Sequence, residues 1–148
     1  MPPRGWVVDD TAGLGSRIRV VLYRKGERWR DARTVMYVNP LHQDEKMKRT
    51  FHQMIERDVA SFLASSPRGK VTNGPELKTS KGQIAEVRYF SHEGGPPEEA
   101  VAYVAEEDLV MLLVLSSHSP GDFQGALPAF DDLVAGYQFV AGNIQVPR

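Results

Sequence analysis

The chain has no cysteine, only two tryptophans and four histidines among its 148 residues, and no apolar run longer than the seven residues from Leu109 to Leu115. Without cysteine there is no disulfide framework, thiolate nucleophile, Cys-ligated zinc or iron–sulfur cluster, and the redox compartment stays open. Seven apolar residues fall far short of the roughly 20 that a membrane helix needs. Charge of one sign is lacking too, since 18 Lys and Arg stand against 19 Asp and Glu, a formal net charge of -1. A slightly acidic chain without a reader motif is a poor match for nucleic acid. Glycine has no period of three and apolar residues no sustained heptad, which excludes collagen-like and coiled-coil chains, while the 41% apolar content is that of a globular domain. Domains cluster at about 100 to 150 residues, so residues 1–148 read as one unit without repeat or linker. No apolar stretch of about 7 to 15 residues follows Met1-Pro2-Pro3-Arg4, so no signal peptide is legible there.

What is present is alternation. From Arg17 to Arg24, Ile18, Val20 and Leu22 share one side while Arg17 and Arg19 take the other, the period of a strand. Thr34 to Val38 is apolar on both faces and is expected to end at Asn39-Pro40, because proline removes a ladder donor. Asp44 to Ala64 reads as a helix, with Met47, Phe51, Met54, Ile55, Val59, Phe62 and Leu63 on one stripe. Val71 to Thr79, interrupted by Asn73-Gly74-Pro75, reads as an edge strand or an irregular ribbon, and Gln83 to Phe90 as another strand. Ser91 to Pro97 is a surface loop. Glu98 to Ala105 and Leu109 to Ser117 are joined by three residues, short enough to require an antiparallel hairpin. A second helix is expected to start near Pro128, with Leu127, Phe130, Leu133, Val134 and Tyr137 on one face, to stop at Gly136, and to be followed by a short strand over Gln138 to Val140. Central strands apolar on both faces call for a helix on each side, an α+β antiparallel sheet covered by helices on both faces. Phe51, Ile55, Phe62, Val35, Tyr103, Leu113 and Phe130 are expected to share one core.

The chemistry-bearing residues are sparse. Ser116-Ser117-His118 with Asp122 holds the residue types of a hydrolase, but chain neighbours rarely face each other as nucleophile and base must, and strand-end polar residues before a turn are the plainer reading. His42, Asp44 and Glu45 are weak candidates for a metal; His42 and His52 lack the i, i+4 spacing of a ligand pair, and a solvated helix start accounts for them. Gly13-Leu14-Gly15-Ser16 precedes a strand, whereas phosphate loops precede helices, so it reads as a hairpin turn. No cofactor motif is present. Trp6 and Trp29 are expected to cap the core. Charge layout says more: Arg17 to Arg33 carries seven basic and two acidic residues, whereas Glu86 to Asp108 carries seven acidic and one basic. Such asymmetry steers association with a partner. Arg24, Lys25, Arg28, Arg30 and Arg33 around Trp29 are the candidate partner-binding residues, since Arg and Trp are enriched in binding hot spots.

Tyr23-Arg24-Lys25-Gly26-Glu27-Arg28-Trp29-Arg30-Asp31-Ala32 followed by Val35-Met36-Tyr37, with Gly5-Trp6-Val7-Val8-Asp9-Asp10 before it and Ala100-Val101-Ala102-Tyr103 and Val114-Leu115-Ser116 after it, resembles the bacterial branch of the PsbP-like superfamily. That grouping includes the PsbP subunit of photosystem II and a yeast regulator that binds the GTPase Ran. Arg24 stands where the resemblance would place proline, and Asp10 where it would place asparagine. The resemblance implies an antiparallel sheet between helices and binding without catalysis. It also implies a strand upstream of Gly5-Trp6, which inclines localisation toward the periplasm or export; otherwise the chain reads as cytoplasmic. The leading expectation is a non-enzymatic domain engaging a protein partner through a charged face or sheet edge. The alternative is a small-ligand or metal-binding domain of the cell envelope, using a pocket between helix and sheet near Trp29 and His42, and a hydrolase comes third.

Overall fold

A computed structural model of the chain describes residues 2–9, 20–42, 46–140 and 143–147. In chain order its elements are β1 (Trp6–Asp9), β2 (Val20–Arg24), β3 (Thr34–His42), α1 (Phe51–Ser65), β4 (Lys70–Asn73), β5 (Leu77–Lys78), β6 (Ile84–Ser91), β7 (Glu99–Ala105), β8 (Leu109–Ser117), α2 (Pro120–Gly136), β9 (Gln138–Val140) and β10 (Asn143–Gln145). One antiparallel sheet runs β1-β2-β3-β8-β7-β6-β4, with β5 also paired to β6, and β9 and β10 form a separate hairpin. The expected α+β architecture is therefore present, with β8 and β7 at the centre.

Side chains alternate across a strand, so the doubly apolar central strands feed two cores rather than one. Met111, Leu113 and Leu115 of β8 join Ala100, Ala102, Trp6, Leu22 and Met36 beneath α2, where Phe123, Phe130, Leu133 and Tyr137 pack. Val110, Leu112 and Val114 join Val101, Tyr103 and Phe90 beneath α1, where Met54 and Ile55 are buried. The single expected core thus divides: Leu113 and Phe130 lie on the α2 face, Ile55 and Tyr103 on the α1 face, and Phe51, Phe62 and Val35 are only partly buried. Trp6 is buried as expected, whereas Trp29 is half-buried.

Three boundaries differ from the expectation, each for a local reason. Helix α1 begins at Phe51 rather than Asp44, because Thr50 accepts from the Gln53 backbone while the Gln53 side chain accepts from the Thr50 N–H, a capping box. Met47 is consequently 60% exposed and outside the stripe. Helix α2 begins at Pro120, capped by Ser119, whose hydroxyl accepts from the Asp122 N–H. Pro128 lies inside it, tolerated where both Pro128 and Gln124, the residue whose carbonyl loses its donor, are exposed. Strand β3 passes through Asn39-Pro40 to His42. At Pro40 its ladder runs to β8 alone among the described residues, Pro40 opposite Met111, and a strand paired on one side has positions that need no N–H donor. The region Val71 to Thr79 resolves into β4 and β5, both against β6. Gly13 to Ser16 and Arg17 to Arg19 fall outside the described residues.

Candidate functional site

The basic residues singled out by charge lie on the connection between β2 and β3, but they divide between two faces of the sheet. Arg24 stacks over the Trp6 ring, 5.5 Å from its centroid. Arg33 reaches the start of α2, where its Nε lies 3.2 Å from Asp122 Oδ2. Trp29 sits toward the α1 face and meets Tyr37 of β3 edge to face, with ring centroids 6.4 Å apart. Lys25, Arg28 and Arg30 are exposed beside it. Glu27 in the same connection has one carboxylate oxygen, Oε2, buried without a hydrogen-bond partner among the described residues. The acidic stretch does not form one face. Strand register puts Glu106 to Asp108 at the far end of the sheet and Glu98 and Glu99 at the same end as the basic connection.

A groove runs along the flank of α1. Its floor is Val101 of β7 with Leu112 and Val114 of β8; one wall is Asp58, Ser61, Phe62 and Ser65 of α1, the other Tyr37 and Asn39 of β3, and Phe90 and Glu99 line it as well. This stretch holds about 320 Å³. An adjoining stretch of about 310 Å³ shares Asp58 and Ser61 and is lined further by Leu41, His42, Arg49, Met54 and Arg57. The geometry follows from the fold: α1 rests on β6 and β7, with Phe62 against Phe90 and the Tyr103 hydroxyl donating to Asp58 Oδ2, and so leaves the β3 side of that face open. Burial, with Asp58 in support, pushes the Tyr103 hydroxyl well above its ordinary range, so it stays a donor. Burial likewise raises Tyr37, and both Glu99 and Asp58 add to the rise.

At one end of the groove Glu99 meets His92, whose Nε2 is 3.9 Å away, while His92 Nδ1 lies 2.8 Å from Glu98. The Ser116 hydroxyl donates to Glu99 Oε1 at 3.4 Å. Burial lifts the Glu99 carboxyl above the usual carboxylate range; His92 and Ser116 oppose the rise and Glu98 adds to it. A folded state that holds a proton more tightly than the unfolded chain loses stability as pH climbs past the folded pKa, and the penalty is absent below the unfolded value. Glu99→Gln is therefore expected to raise the denaturation midpoint near neutral pH, with the gain fading below about pH 4. Urea titration at the two pH values checks this; an equal gain at both would mean that the carboxylate charge is not the cause.

The remaining candidates are dispersed. The Ser117 hydroxyl faces the carbonyls of Glu98 and Ser119 at 3.1 and 2.8 Å, and Asp122 is engaged by Arg33, so His118, which is exposed, is not joined to either. His42 is exposed at the end of β3 and lines the groove, while Asp44 and Glu45 lie outside the described residues. Among the described residues no group of three His, Asp or Glu side chains is arranged to hold a metal ion. No helix among them is long and apolar enough to cross a membrane. Asp58, Glu99 and Tyr37 are the groove residues that residue patterns did not single out. A signal existed for Asp58, a carboxylate set between Ile55 and Phe62 on the apolar stripe, and for Glu99, a charge opening a strand that is otherwise apolar.

No protein-family model matches the chain, and no curated protein matches it. A search of solved structures finds the solution structure of cyanobacterial PsbP (CyanoP) from Synechocystis sp. PCC 6803, with a TM-score of 0.50, 15% sequence identity, and coverage of 98% of this chain and 84% of that chain. The correspondence extends over nearly the whole element order, from the Trp6 strand to the last hairpin, and at this identity it is one of backbone arrangement. The chain has a PsbP-like fold.

Proposed function

We propose that the chain is a non-enzymatic binding domain that engages an acidic surface of a protein partner at the connection between β2 and β3. The observation that carries this reading is Trp29, held edge-on by Tyr37 and half-exposed, with Lys25, Arg28 and Arg30 exposed beside it. A fixed aromatic flanked in the chain by two exposed arginines suits a hot spot, because the ring brings contact area at little entropic cost and the guanidinium plane pairs bidentately with carboxylates. Arg24 and Arg33 serve differently, one stacked on Trp6 and the other paired with Asp122, and they brace the connection from the α2 face. Of the carboxylates at the same end, Glu93 is paired with Arg68 and Glu98 accepts from the His92 backbone N–H.

The test is a photo-crosslinker placed at Lys25 to identify the partner, followed by association kinetics with the purified partner. Arg28→Glu with Arg30→Glu is expected to slow association about tenfold and to flatten its salt dependence, since exposed charges act mainly on the on-rate. Stability should change by less than about 0.5 kcal/mol, the usual range for exposed positions. Unchanged affinity and salt dependence, or an unfolded variant, would refute the assignment.

A further inference from the structure

We propose that the groove beside α1 binds a small organic amine, its ammonium held between Asp58 and Glu99 and its apolar portion lying on Val101, Leu112 and Val114. The proposal does not rest on the reading of the basic connection, although Tyr37 both lines this groove and packs against Trp29. The floor side chains carry no polar atom, so a molecule lying on them must be apolar along that length. The walls supply two carboxylates, one from α1 and one from β7, and no lysine or arginine among the described residues that line this stretch. Tyr37 lines the same stretch as both carboxylates. Tyr37, Phe62 and Phe90 line the same stretch and add apolar, aromatic surface to it.

Neither carboxylate is used up by its neighbours. Asp58 accepts from Tyr103 through Oδ2, and Glu99 has a long 3.4 Å contact from Ser116 and His92 Nε2 at 3.9 Å, both on Oε1, while a carboxylate offers about four acceptor sites. Orientation follows from the lining: Asp58 is shared with the adjoining stretch, which Arg57 also lines, whereas no lysine or arginine among the described residues lines the stretch that holds Glu99, so the ammonium sits on the Glu99 side of Asp58 and the apolar portion lies on the floor. Size sets the class. About 320 Å³ lies at the lower end of the roughly 300 to 1,000 Å³ typical of small-molecule sites, which fits a compact amine.

Hexylammonium is the probe, titrated into the full chain and followed by amide chemical shifts and calorimetry, with hexanol and hexanoate as controls of equal length. The expected result is saturable binding with shifts at Tyr37, Glu99 and Val114, and with both controls at least about tenfold weaker, the size of one charge-assisted hydrogen bond. Glu99→Gln, which should be folded and more stable near neutral pH, is expected to weaken hexylammonium about tenfold, and Asp58→Asn, which keeps an acceptor for Tyr103, by a similar factor. Hexanol binding as well as hexylammonium, shifts confined to another surface, or undiminished affinity in folded Glu99→Gln would each overturn the proposal. So would a capped Gly-Lys-Gly peptide binding more tightly than hexylammonium, which would make the occupant a protein segment.

Discussion

Phe130→Ala is expected to lose about 3 to 5 kcal/mol of unfolding free energy in denaturant titration, the range for removing a fully buried aromatic ring. Phe130 is 1% exposed, in the centre of the α2 face against Leu113 and Leu115, and a cavity there is walled by β-sheet that cannot collapse onto it. Small domains have only about 5 to 15 kcal/mol in total, so the variant should be marginal at ambient temperature. Phe51→Ala should cost clearly less. Phe51 opens α1 and is only partly buried, with water already touching one side of the ring. A reversed order of the two losses would mean that α1, not α2, covers the deeper core.

The second large effect concerns Asp58 and Tyr103. Asp58→Ala should cost about 1 to 3 kcal/mol, because it leaves a buried phenol hydroxyl without its acceptor, and the desolvation of that hydroxyl is not recovered. Tyr103 has no accessible surface, and its hydroxyl is the tie between β7 and α1. Tyr103→Phe combined with Asp58→Ala should be less destabilised than the two single losses added together, since with both polar groups gone nothing is left unpaired. Additive losses in that double-mutant cycle would show that the hydroxyl and the carboxylate do not interact in the folded protein. Urea titration of the four proteins supplies the numbers, and an unchanged slope would confirm that only stability moved.

The two effects also show which features can be read from residues and which cannot. The β7–β8 hairpin is legible because three residues between two apolar runs permit no other connection, and the register Glu99 opposite Ser116 follows from it. Helix α1 is legible from its stripe, but its start is not, because Met47 continues the spacing while the local bonds between Thr50 and Gln53 set the beginning at Phe51. For α2, Pro128 is a weaker start signal than Ser119-Pro120, a capping hydroxyl followed by a fixed φ.

Period, turn chemistry and charge order are properties of neighbours in the chain, and they sufficed for the α+β class, the strands at the sheet centre and the basic stretch from Arg24 to Arg33. Which face each apolar residue joins depends on strand order, and β3 lying beside β8 is a contact across more than sixty residues that no local pattern encodes. The groove depends on that order once more. Asp58 and Glu99 come from a helix and a strand forty-one positions apart in the chain, and they line one wall system only because α1 settles on β6 and β7 and leaves the β3 side of the sheet uncovered. Long-range packing, driven by burial of apolar area without direction of its own, decides such meetings, whereas hydrogen bonds and backbone sterics decide the elements that meet.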